Sequence, residues 1–156
     1  EDFTAGPEPR PLSPDGLPPV QPLIRHEALF PRLADDAAKR TGIRAEWLLN
    51  VSNDAWFGAT SGPWQHLNIA SYRAIEAGLP IVRATPTGVS AVIDAQGKIL
   101  PGAKLGLGQT GVIDARLPPA RPPTLYNRIG EAAFAMMLLI SAATMAWGRY
   151  RRASRK

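Results

Sequence analysis

Thirteen carboxylates, two histidines and no cysteine set the chemistry open to this chain of 156 residues. Without a thiol it has no thiolate nucleophile, no thiolate metal ligand and no disulfide framework. Two histidines far apart do not make a metal site, and no metal or other cofactor is expected. The remaining candidates fall in three stretches: Arg25-His26-Glu27, Asn53-Asp54-Ala55-Trp56-Phe57-Gly58 and Gly62-Pro63-Trp64-Gln65-His66. His26 can in principle attack an ester, and Glu27 can hold a cation or open a helix. An Asp in a turn after a strand is ordinarily an Asx cap, so Asn53 and Asp54 read as structural. Trp56 reads as a packing group or a contact for an apolar substrate, with Phe57 beside it as a substrate contact; Gln65 and His66 sit at a helix start, His66 as a helix-start or pocket-wall hydrogen-bonding group; and Arg83 and Thr87-Gly88 read as strand-end and turn residues.

Strands that end beside these groups must position them. Residues 48–52 (LLNVS) and 80–84 (PIVRA) are short apolar runs bounded by turn residues, which predicts strands buried on both faces. Between them, residues 64–77 place Leu67, Ala70, Ala74 and Ile75 on one side of a helix and Arg73 and Glu76 on the other. Gly62-Pro63 opens that helix and Gly78-Leu79-Pro80 stops it. Residues 90–94 and 98–100 flank Ala95-Gln96-Gly97 as a hairpin, and residues 111–115 (GVIDA) read as a further strand. Residues 22–24 precede a helix over 31–40. The expected fold is an α/β domain with mixed strand directions over residues 22–117. Seven of the 16 prolines lie before residue 23, so residues 1–21 are expected to be an extended connector with room for one short edge pairing. That polar start, without a methionine, reads as part of something longer.

Eighteen Lys and Arg stand against thirteen acids, and five of the cations fall within residues 149–156. Residues 1–148 are therefore neutral overall, which argues against a nucleic-acid-binding face.

PLIRHEALFP (22–31) and LLNVSNDAWFGATSGPWQHLNIASYRAIEAGLPIVRATPTGVSAVIDAQGKIL (48–100) together resemble the second half of the catalytic domain of apolipoprotein N-acyltransferases, within the carbon-nitrogen hydrolase (nitrilase) superfamily. The resemblance implies the C-terminal half of a nitrilase-like α-β-β-α sandwich followed by one transmembrane helix. It also implies an enzyme that moves an acyl chain from a phospholipid donor to the N-terminal amine of a lipoprotein acceptor. That family works with a Glu-Lys-Cys triad: a general base, an oxyanion-stabilising cation and a thioester-forming nucleophile. The Cys normally sits in a C-Y-E run, which here is Arg25-His26-Glu27. Arginine stays protonated and offers donors only, so Arg25 cannot form a thioester. His26 holds the family's Tyr position, and Glu27 matches an acid that would hold the triad Lys or a substrate amine. The triad's Glu and Lys belong to the family's first half, which this sequence does not contain, so the chain is expected to need that half and to be inactive by itself. Two other readings are a membrane-tethered lipid-binding or partner subunit without catalysis, in which Arg25 pairs with Glu27 or a lipid phosphate, and a soluble amidase of the same superfamily.

The soluble reading conflicts with residues 129–147, nineteen residues with one charge, Glu131. As a helix they rise about 28 Å, close to the hydrocarbon thickness of a bilayer. A linker over 118–128 precedes them, and a basic tail over 148–156, with Trp147 and Tyr150 at the junction, follows. With the resemblance, this predicts a bacterial inner-membrane protein with its globular part in the periplasm and its C-terminus in the cytoplasm. A reporter fused after Lys156 is expected to give a cytoplasmic signal, and an extracytoplasmic one would refute that orientation.

Overall fold

The computed structural model describes residues 8–153. Residues 1–7 of the expected connector and 154–156 of the expected tail lie outside them. Five strands form one mixed sheet in the order β1 (Val20–Ile24), β2 (Trp47–Val51), β3 (Ile81–Ala84), β4 (Ser90–Ile93) and β5 (Ile99–Leu105). The first three are parallel and the last two antiparallel. Helix α1 (Leu33–Thr41) connects β1 to β2, and α2 (Gly62–Ala77) connects β2 to β3. β1 begins two residues inside the expected connector, and among the described residues the connector pairs with it at one isolated bridge, Leu12 with Val20, closed by two backbone hydrogen bonds of 2.8 Å.

Strand alternation divides the sheet into two faces. Leu23 pairs in register with Asn50, Leu48 with Ile81, and Ile81 with Ile93. These apolar side chains are buried with Leu67, Ala70 and Ala74 of α2. Small alanines let the helix approach the sheet closely. Two residues farther along the same face, Asn50 and Arg83 replace Leu48 and Ile81, so the buried surface turns polar toward the carboxyl ends of the parallel strands. On the other face Pro22, Leu49 and Val82 are only half-buried, so the expectation of strands buried on both faces holds for one face alone.

Two further expectations are corrected. Residues 111–115 form no strand, and Val112 is 92% exposed. A strand needs a ladder, and the adjoining edge strand β5 contains Pro101, which has no donor, and Gly102 at φ 75°. On α2, Ile75 is exposed and its terminal methyl lies over Gly97, where an added Cβ would come within 2.8 Å. Arg73 and Glu76 are the partly buried pair, 3.0 Å apart. The hairpin forms as expected: Asp94 Oδ1 accepts from the backbone N–H groups of Gln96 and Lys98, each at 2.9 Å.

Residues after β5 return to α2. Arg121 N–H donates to Gly78 O at 2.8 Å, and the Thr124 hydroxyl donates to Glu76 O while capping the short helix α3 (Leu125–Ile129). Gly130, at φ 53°, ends that helix, and α4 (Ala132–Ala153) begins beyond it. Three residues of the predicted 129–147 span therefore precede α4. Residues Ala132–Arg151 are long and apolar enough to cross a membrane, with mean hydropathy 1.3 and none of the span buried.

Ile81 is fully buried in the main apolar cluster. Ile81→Ala is expected to cost about 2–5 kcal/mol of unfolding free energy, against less than about 0.5 kcal/mol for Val112→Ala. Equal midpoints in chemical denaturation of the two variants would contradict this assignment of the core.

Candidate functional site

The carboxyl end of β1 leads directly into a 3-10 turn, Arg25–Leu29. Arg25 sits in the left-handed region, φ 57°, a conformation that costs a non-glycine residue of order 1–3 kcal/mol and persists only where surroundings fix it. What fixes it is Glu27, whose Oε2 accepts from the backbone N–H of Ile24 at 2.6 Å and locks the turn. Glu27 is thus spent on the backbone and does not pair with Arg25. The Arg25 guanidinium lies over the Trp56 ring at 6.0 Å instead. Around it Ile24, Leu29, Phe30, Trp56 and Phe57 are all exposed, an apolar surface at a strand end. His26 is exposed as well and borders a cleft of about 140 Å³ lined also by Leu29, Phe57, Gly62, Gln65, His66 and Ile69. The structure therefore brings together all five residues singled out from sequence, Arg25, His26, Glu27, Trp56 and Phe57, around the end of β1.

Beneath this surface lies a buried polar cluster whose members Asp54, His66, Arg83 and Gly88 the sequence offers only singly, and whose Asn50 it does not single out. Arg83, 1% exposed, directs Nη1 to Asn50 Oδ1, Nη2 to Asp54 Oδ2 at 2.7 Å and Nε to the carbonyl of Val89 at 3.2 Å. Asn50 in turn donates to Leu23 O at 3.0 Å. Asp54 Oδ1 takes a hydrogen bond from His66 Nδ1 at 2.7 Å, which fixes the proton on that nitrogen because the carboxylate can only accept. Burial pushes the Arg83 guanidinium below its usual range, and the charge and hydrogen bonds of Asp54 oppose the shift. Gly88 closes the cluster: a Cβ there would lie 2.1 Å from Asp54 Oδ2, so only glycine lets the loop approach. The available signal was register, since Asn50 and Arg83 are cross-strand partners two residues beyond the apolar pair Leu48 and Ile81.

Asn53, beside this cluster, is structural: its Oδ1 accepts from Ala55 N–H at 3.0 Å and from the Thr87 hydroxyl at 2.9 Å. His66 Nε2 is buried and has no hydrogen-bond partner among the described residues. An unmade hydrogen bond of this kind costs about 1–3 kcal/mol. Among the described residues, no three His, Asp or Glu side chains are grouped to hold a metal ion.

The carbon-nitrogen hydrolase family profile matches residues 7–122. The chain is 57% identical over 148 residues to the apolipoprotein N-acyltransferase of Caulobacter vibrioides, covering 94% of this chain and 27% of that protein. It is 45% identical to the enzyme of the same name from Bradyrhizobium diazoefficiens, covering 89% and 25%. The chain thus spans about a quarter of the length of these relatives. Among solved structures, it resembles a nitrilase-superfamily protein of Saccharomyces cerevisiae, with TM-score 0.52, 21% identity and coverage of 69% of this chain and 40% of that one. It also resembles the amidase from Nesterenkonia sp. AN1, whose active-site cysteine carries an acrylamide adduct, with TM-score 0.50, 20% identity and coverage of 87% and 51%. At these identities the structural likeness shows a shared nitrilase-superfamily fold.

Arg83→Ala leaves Asp54 buried with one partner fewer, and a loss of about 3–5 kcal/mol of stability is expected. Arg83→Lys, which keeps the charge and loses the planar fork, is expected to recover part of it. A change below about 1 kcal/mol for Arg83→Ala in urea unfolding followed by tryptophan fluorescence would show that the cluster does not hold the fold.

Proposed function

The chain belongs to the carbon-nitrogen hydrolase family, and on that premise we propose that it is the C-terminal part of an apolipoprotein N-acyltransferase-type membrane protein, without acyl transfer of its own. Supporting the first half of this reading are 57% identity over 148 residues to an enzyme of that name and an unburied apolar helix joined to the same domain. The observation that carries the second half is Arg25. It occupies the end of β1, the place where α/β sheets present reacting groups, on a left-handed backbone beside exposed Trp56 and Phe57.

The reaction needs a nucleophile there. In the first step a thiolate attacks the ester carbonyl of a phospholipid, a thioester forms, and the glycerol oxygen leaves and takes a proton. In the second step an amine attacks the thioester, the thiolate leaves, and the amine loses a proton as the amide forms. Arg25 has no lone pair to begin the first step, and the chain contains no cysteine elsewhere. Trp56 and Phe57 contribute acyl-chain contact, and His26 borders the cleft that Phe57 also lines. Glu27 holds the strand-end turn in shape through Ile24. On this reading the chain belongs to a bacterial inner membrane with the domain on the periplasmic side, and the unburied apolar helix supports the membrane part of it. The remaining half of the catalytic domain would supply the triad's Glu and Lys.

A second reading, a lipid-binding subunit without catalysis, is favoured by one observation: the Arg25 guanidinium makes no ion pair among the described residues and rests on an exposed aromatic ring. It would take a lipid phosphate as its anion.

The two readings separate in a hybrid. Residues 8–153 are exchanged for the matching segment of the Caulobacter vibrioides relative, and acyl transfer from phospholipid to a lipopeptide amine is measured. The hybrid with Arg25 is expected to be slower than that relative by about 10³-fold or more, and Arg25→Cys to restore transfer. Transfer by the Arg25 hybrid would overturn the inactivity. No transfer by a folded Arg25→Cys hybrid would overturn the acyltransferase reading.

A further inference from the structure

One atom of the buried cluster is unaccounted for. His66 is 5% exposed, its Nδ1 is committed to Asp54 Oδ1 at 2.7 Å, and its Nε2 meets no hydrogen-bond partner among the described residues. The same ring forms part of the wall of the 140 Å³ cleft, whose other walls are Leu29, Phe57 and Ile69, with His26 and Gln65 at the polar edge. Phe57 stands edge-on to the imidazole, centroids 6.0 Å apart, on the short turn Ala55–Phe57. Its ring packs against Gly62 at the opening of α2, and it is 41% exposed on its outer side.

Charge decides what the nitrogen can take. Arg83 Nη2 lies 3.2 Å from Nδ1 and 2.7 Å from Asp54 Oδ2, so the cluster holds one anion against one cation. No negative charge is left over for an ammonium ligand. A neutral ring with its proton on Nδ1 presents a lone pair at Nε2, which requires a donor. Ester and phosphate oxygens only accept. A hydroxyl attached to an apolar chain satisfies both the nitrogen and the walls.

We propose that His66 Nε2 accepts a hydrogen bond from the free hydroxyl of a single-chain glycerolipid, the alcohol left when a phospholipid gives up an acyl chain. The identity of that alcohol rests on the acyl-transfer reading above. His66 is here a positioning residue, held by Asp54, which is itself held by Arg83. His66 seats the glycerol oxygen, and the apolar walls take the neighbouring chain.

The test uses the 156-residue chain, with nitrogen-15-labelled histidine, in dodecylphosphocholine micelles, a detergent without hydroxyls. Palmitoyl lysophosphatidylcholine is titrated in, and in parallel its ether, in which the free hydroxyl is methylated. The His66 Nε2 resonance is expected to move with the alcohol and not with the ether, and the alcohol to bind roughly five- to tenfold more tightly, the worth of one hydrogen bond. The Nδ1–H signal bonded to Asp54 reports in the same spectrum that the cluster is formed. An equal response to both lipids, or no Nε2 response with that signal present, overturns the proposal. So does absence of the Nδ1–H signal, because the arrangement it rests on would not exist. A hydroxyl-selective response alongside an inactive Arg25→Cys hybrid would keep the site and discard the reaction.

Discussion

Arg83 must be satisfied inside the protein, and much of the domain is arranged to do it. A buried guanidinium is tolerable only when a carboxylate and several acceptors surround it. Asp54, Asn50 and the Val89 carbonyl supply them, and each belongs to a different segment: the loop after β2, β2 itself, and the turn before β4. Through Asp54 the constraint extends to His66 in the first turns of α2, and Gly88 gives the loop room to close over the carboxylate. One cation thus fixes the ends of two parallel strands and the entry of a helix relative to each other. The cleft beside His26 is a consequence of that arrangement, because its floor is the helix turn that Asp54 holds in place.

The strand end above the cluster has different physics. Its groups are exposed, and the shape of the backbone is kept by Glu27 and by the pairing of Ile24 with Val51. A left-handed residue at such a place points its side chain away from the sheet toward whatever lies over it. Arg25 lies over indole, within a surface of Ile24, Leu29, Phe30 and Phe57. Apolar area of this extent is costly to leave in water. The shape of the strand-end surface and the absence of a thiol are separate facts: the first follows from backbone and packing, the second from one side chain.

Much of the fold was legible in the sequence because its signals are local. The two apolar runs around residues 48–52 and 80–84, the Gly-Pro opening and Gly stop of α2, and the Asp94 turn each specify a conformation within a few residues. The resemblance to the acyltransferases rested on motifs that the comparisons match at 57% and 45% identity. What could not be read depended on partners distant in the chain. GVIDA has strand composition, but a strand exists only where another offers a ladder. Ile75 matches a helix face only if the helix's rotation over the sheet is known. Arg83 looked like an ordinary strand-end cation because its worth comes from Asn50, 33 residues away, and Asp54, 29 away. Glu27 has the chemistry of a cation-binding acid in isolation, and its hydrogen bond from Ile24 appears only once the turn is built.

Helix α2 joins two ends with different duties. Its last residues are tied to the segment leading into the membrane helix, Arg121 to Gly78 and Thr124 to Glu76, and its first turns carry His66. Twelve residues of helix separate His66 from Gly78, about 18 Å at 1.5 Å per residue. The helix is therefore a ruler: its length sets the standoff between the Gly78 tether of the segment after β5 and the His66 wall of the cleft. One added turn would shift that standoff by about 5 Å without altering a single residue at either end.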